Sequence, residues 1–120
     1  MSRAQTIAVA SESDVVRLRV QVRDLARAIG MSLTDQARIS LAASSVAKAI
    51  GLGSTCRGQA TIDDCRQGER TGVRVIYKEK NGKGDLTSGV FGDTRWMVDE
   101  LTVETLPTNE VQVTLIKWRV

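Results

Sequence analysis

Leu33-Thr34-Asp35-Gln36-Ala37-Arg38-Ile39-Ser40, running on through Leu41-Ala42-Ala43-Ser44-Ser45-Val46-Ala47-Lys48-Ala49-Ile50, is the stretch on which the fold turns. Ile39, Ala42, Ala43, Val46 and Ile50 recur at helical steps, which predicts a helix with one apolar side. Much of that side is alanine. Short side chains cannot fill a wide gap, so another helix or a sheet has to approach closely. Ser32 is placed as the N-cap of a capping box, with Asp35 at the positive end of the helix dipole. Gly51-Leu52-Gly53 ends the helix.

Toward the N-terminus, Gln5 to Ala10 alternates polar and apolar residues and predicts a strand. Ser11-Glu12-Ser13-Asp14 offers caps for a helix over 14–29, whose apolar face carries Val15, Leu18, Val22, Leu25 and Ile29. Gly30 closes it. Arg19, Arg23 and Arg27 fall four apart on the opposite face, either a solvated stripe or a docking surface for an acidic partner.

Toward the C-terminus, Gln59 to Ile62 is a weak strand and Val73 to Lys78 a strong, β-branched one, with the polar 64–71 segment as their hairpin connection. A glycine-rich loop at 80–88 precedes a short helix over 93–98. Leu101 to Thr105 and Val111 to Val120 form a closing hairpin around Pro107-Thr108-Asn109. The order β-α-α-β-β-loop-α-β-β predicts an α+β two-layer sandwich, a mixed and mostly antiparallel sheet with helices on one face. A single domain over 1–120 is expected.

Composition narrows the function. The 120 residues are 42% hydrophobic but only 3% aromatic, so the core is aliphatic. Histidine is absent, which excludes Ser-His-Asp and Cys-His nucleophiles, His-ligated zinc and His acid–base catalysis. The net charge of +3 is spread among acids rather than concentrated, which argues against nucleic acid as a partner. Cys56 and Cys65 are too few for a zinc site or a disulfide scaffold; they read as reduced thiols, with an incidental bridge left open. No apolar run has the length of a membrane span or signal core, so no membrane partner and a cytoplasmic location are expected. Trp96 and Trp118 read as core filler or as interface anchors.

Lys80-Asn81-Gly82-Lys83-Gly84-Asp85 is the one stretch shaped like a phosphate cradle. It matches neither a Walker A loop nor GxGxxG, and an exposed turn is the other reading. Ser40, Ser44 and Ser45 have no basic partner placed to activate a hydroxyl. The adjacent acids Asp63-Asp64 and Asp99-Glu100 do not make a metal site.

The helix quoted at the outset, together with Gly92-Asp93-Thr94-Arg95-Trp96-Met97-Val98-Asp99-Glu100-Leu101 and Leu115-Ile116-Lys117-Trp118-Arg119, resembles the anti-sigma-factor and stressosome serine kinases, a branch of the GHKL (histidine-kinase-like) ATPases. The similarity runs from about Ser11 onward and is nearest to the stressosome switch kinases, which phosphorylate a STAS-domain scaffold and activate a phosphatase. The resemblance implies a glutamate base at the position of Ser45 and a magnesium-binding asparagine at that of Ala49. It also implies an adenine-binding aspartate at Lys80, or at Glu79 in the neighbouring register, ahead of Asn81, Gly82 and Gly84.

Serine is no carboxylate base, alanine offers magnesium no oxygen, and lysine cannot accept the adenine hydrogen bond. Only about seven residues separate Gly84 from Gly92, too few for a phosphate lid. The expectation is a pseudokinase adaptor with a degenerate nucleotide site (Lys80, Asn81, Gly82, Gly84, Gly92), no catalytic residue, no metal site and no cofactor. It would act by binding a STAS-domain protein, a phosphatase or a sibling kinase, with Arg19, Arg23 and Arg27 as the contact and a homodimer as a further option. The alternative is an active serine kinase that uses ATP and magnesium to phosphorylate a STAS-domain protein.

Overall fold

Serines start both long helices. The computed structural model describes residues 4–53, 57–79, 92–107 and 110–119. Its elements are β1 (Gln5–Val9), α1 (Glu12–Ala28), α2 (Leu33–Ala49), β2 (Gly58–Gln67), β3 (Arg70–Glu79), α3 (Gly92–Arg95), β4 (Glu100–Thr105) and β5 (Val111–Trp118). At α1 the Ser11 side chain accepts from the Asp14 amide, while the Ala10 and Ser11 amides donate to Asp14 Oδ2 at 2.9 and 3.2 Å. The Ala10 amide, foremost among these contacts, holds the Asp14 carboxyl below the ordinary aspartate range. At α2 Ser32 accepts from the Asp35 amide, but Asp35 turns its carboxylate to Lys117 Nζ at 3.6 Å and Arg38 at 3.9 Å. Ile29, not Gly30, is the C-cap of α1; Gly30 follows it at φ +88°, where the Met31 amide can reach back to the Ala26 carbonyl.

The five strands lie in the order β1-β2-β3-β5-β4, and every pairing is antiparallel. The fold is therefore the expected α+β sandwich, with the sheet wholly antiparallel among the described residues. Alternation sends Val9, Ile62, Val75, Tyr77, Val113 and Leu115 toward α1 and α2, where Leu18, Val22, Ile39 and Val46 complete one core. The alanines act as predicted: Ala42, Ala43 and Ala47 have no exposure, and α2 comes close enough for Tyr77 to donate its hydroxyl to the Ala43 carbonyl at 2.7 Å.

Burial pushes the Tyr77 hydroxyl well above the ordinary tyrosine range. The raised folded-state value means its contribution is complete below the unfolded pKa of about 10 and is lost as pH climbs beyond it. Tyr77 is the only tyrosine in the chain. Tyrosinate absorbance is expected to stay silent in alkali until the protein unfolds; a reversible titration of the native protein near the free-tyrosine value would contradict the burial.

The β2–β3 hairpin is longer than its polar sequence suggests. The expected connection is mostly strand, and only Gly68 (φ +62°) and Glu69 lie between the paired residues Gln67 and Arg70. Asp63 explains the extension: Arg74 directly opposite donates Nε and Nη2 to its two carboxylate oxygens at 2.9 and 2.5 Å. The short C-terminal helix is a single turn, Gly92–Arg95. It is followed by buried Met97 and Val98, which leaves Trp96 70% exposed rather than in the core.

Trp118 is buried, but on the sheet face opposite the helices, in register with Gly72. A Cβ on Gly72 would stand 2.9 Å from Trp118 Cε3 and 2.5 Å from the Lys117 carbonyl oxygen. Arg70 caps the indole at 4.4 Å from its centroid, and the indole N–H donates to Glu100 at 3.2 Å. Gly72→Val is expected to cost about 2 kcal/mol in denaturant unfolding, because backbone lies against the site; an unchanged midpoint would contradict it. Cys65 is a half-buried free thiol, raised by burial; Cys56 and the Thr108–Asn109 part of the closing turn lie outside the described residues.

Candidate functional site

Of the residues the resemblance singles out, Ser45, Ala49 and Glu79 sit toward the C-terminal end of α2. Ser45 is half-buried and Ala49 exposed, one turn apart on the same flank. Leu52, just past the helix, reaches the end of the hairpin: its Cδ2 is 2.8 Å from where a Cβ on Gly58 would stand, and Gly58 pairs with Glu79. Glu79, at the last position of β3, is 3% exposed. α3, which begins at exposed Gly92, packs against α2. Lys80, Asn81, Gly82 and Gly84 lie outside the described residues.

Carboxylates on α2 are sparse. Its one carboxylate is Asp35, ten residues before Ser45 and so about 15 Å away along the axis, already facing Lys117 and Arg38. Ser44, buried beside Ser45, donates its hydroxyl back to the Leu41 carbonyl at 3.0 Å, and Ser40 does the same to Ala37. These hydroxyls are spent on the helix itself.

Arg19, Arg23 and Arg27 are all exposed on α1. The structure divides them. Arg27 bonds Asp24 at 3.3 Å, whereas Arg19 and Arg23 have no ion pair among the described residues. No described helix is long and apolar enough to cross a membrane.

Known proteins resemble this chain in sequence and in fold. The serine/threonine-protein kinase RsbT of Bacillus subtilis (strain 168) is 26% identical over 133 residues, covering 98% of this chain and 98% of RsbT. The chain is thus similar, over nearly its whole length, to a serine/threonine-protein kinase. A crystal structure of the RsbU and RsbW domains of a Mycobacterium tuberculosis protein matches all of this chain at a TM-score of 0.68 and 19% identity. That solved chain is much longer; the present one covers 33% of it. The agreement establishes a shared fold. No protein-family model matches the chain.

Ser45 and Ala49 can be located through the resemblance alone, whereas the burial of Glu79 and the pairing of Arg27 cannot. Both depend on contacts that single-element periodicity does not carry.

Proposed function

We propose that this chain is a partner-switching regulator of the stressosome-kinase type that acts by protein–protein binding, its nucleotide site being degenerate. The observation that carries this reading is the Ser45–Ala49 pair. These side chains occupy the accessible flank of α2 where the family resemblance calls for a base and a magnesium ligand. A neutral serine and a methyl group do not fit a magnesium–nucleotide complex, and no described carboxylate on that flank stands in for them. The comparison with RsbT extends over 133 residues, more than this chain has, so RsbT carries residues without a counterpart here.

The partner on this reading is a STAS-domain protein, a phosphatase or a sibling kinase, and the setting is the cytoplasm. The chain acts as one domain, with Lys80, Asn81, Gly82, Gly84 and Gly92 as remnants of the nucleotide loop.

The kinase name of RsbT favours a second reading, in which the chain still transfers phosphate from ATP to a serine. Thermal unfolding separates the two. A ligand at about a hundred times its dissociation constant stabilises the native state by about 2.7 kcal/mol. Millimolar ATP with magnesium is expected to leave the unfolding midpoint unchanged; a rise of several degrees that requires magnesium would support the kinase.

A further inference from the structure

α1 and α2 lie side by side on the sheet, and the seam between them opens to solvent. A cavity of about 280 Å³ sits there, walled by Val15, Val16 and Arg19 from α1, Ser44 and Lys48 from α2, and Leu52 beyond it. Glu12 is the acidic member of the lining.

Three apolar side chains of α1 and α2 are exposed although the core has no use for them: Val16 at 49%, which lines the cavity, Val20 at 52% and Leu41 at 51%. Val20 lies one turn beyond Val16, and Leu41 lies one and two turns before Ser44 and Lys48, on the flank of α2 that meets α1. Arg19 and Arg23 each follow one of the valines by three residues, so cations and apolar groups alternate along the same strip. Arg19, Arg23 and Lys48 have no ion pair among the described residues, unlike Arg17, Arg27, Arg38 and Arg74.

We propose that the α1–α2 seam is the docking groove for an acidic amphipathic helix of a partner protein. The apolar residues of that helix lie over Val16, Val20 and Leu41 and enter the cavity, while its carboxylates meet Arg19, Arg23 and Lys48. The strip from Val16 to Arg27 is about 16 Å long, which accommodates three turns of helix with apolar anchors at three- and four-residue steps. Charge complementarity selects the acidic sequence and speeds its encounter. A concave, walled cavity suits a protruding side chain better than an anionic membrane surface. This proposal rests on the protein-binding reading and names the surface through which it acts.

The test uses the full chain and a synthetic sixteen-residue helical peptide with leucines along one face and glutamates on both flanks. Fluorescence anisotropy is expected to give saturable binding with a dissociation constant on the order of 10 µM, with NMR shifts confined to the seam. Arg19→Glu with Arg23→Glu is expected to weaken it at least about tenfold, and Val20→Asp likewise, with an unchanged unfolding midpoint in each case. Arg17→Glu, on the other flank, is expected to leave it within about twofold.

The proposal is overturned by absent saturation, by equal binding of a peptide whose glutamates are replaced by lysines, or by shifts away from the seam. It is also overturned if phosphatidylcholine–phosphatidylserine vesicles, rather than the peptide, bind through Arg19 and Arg23. Nucleotide binding in the thermal experiment would sink the non-catalytic reading instead, whatever the peptide does.

Discussion

Leu18→Ala is expected to lower the free energy of unfolding by about 3 kcal/mol, while Val16→Ala, two residues earlier on the same helix, changes it by less than about 0.5 kcal/mol. Leu18 has no exposure and faces the sheet; Val16 is 49% exposed. Truncating the first removes apolar contact and leaves a void that the rigid surroundings fill only in part. Truncating the second removes a side chain that stabilises little in the isolated protein. Urea unfolding of both variants checks the contrast, and equal losses would mean that Val16 belongs to the core and is not available to a partner.

The second large effect is overpacking. Ala43 has no exposure, and its carbonyl receives the Tyr77 hydroxyl. Ala43→Leu drives a branched side chain into the closest approach between α2 and the sheet. We expect a loss of about 3 kcal/mol, part from displaced neighbours and part from the stretched Tyr77 hydrogen bond. Ala43→Ser adds one oxygen rather than a branched chain and is expected to lose less. If Ala43→Leu unfolds at the same denaturant concentration as the parent, α2 does not pack as closely as the structure places it.

Both positions belong to the part of the fold that is legible in the amino-acid sequence. The spacing of Val15, Leu18, Val22 and Leu25 and the alanine-rich side of α2 depend on neighbours within one helix, so periodicity exposes them directly. The far half of β2 is hidden for the opposite reason. Asp63 finds its partner in Arg74 directly across the hairpin, which register alone supplies. Trp118 shows the same dependence: Gly72, forty-six positions earlier, leaves the bare backbone over which the indole lies.

The functional surfaces divide likewise. Ser45 and Ala49 are legible because the helix around them resembles a known one, and a departure at a given position is visible in a single sequence. The α1–α2 seam is half legible. The arginine stripe can be counted, but the cavity beside it needs Val16 and Lys48 from two helices brought together. The pairing of Arg27 with Asp24 further shows that equal spacing does not give equal availability.

Calorimetric titration of the purified chain with ATP and magnesium addresses the degenerate nucleotide site most directly. No saturable heat is expected up to millimolar nucleotide. Saturable micromolar binding that requires magnesium and disappears when Ser45 and Ala49 are enlarged would contradict it.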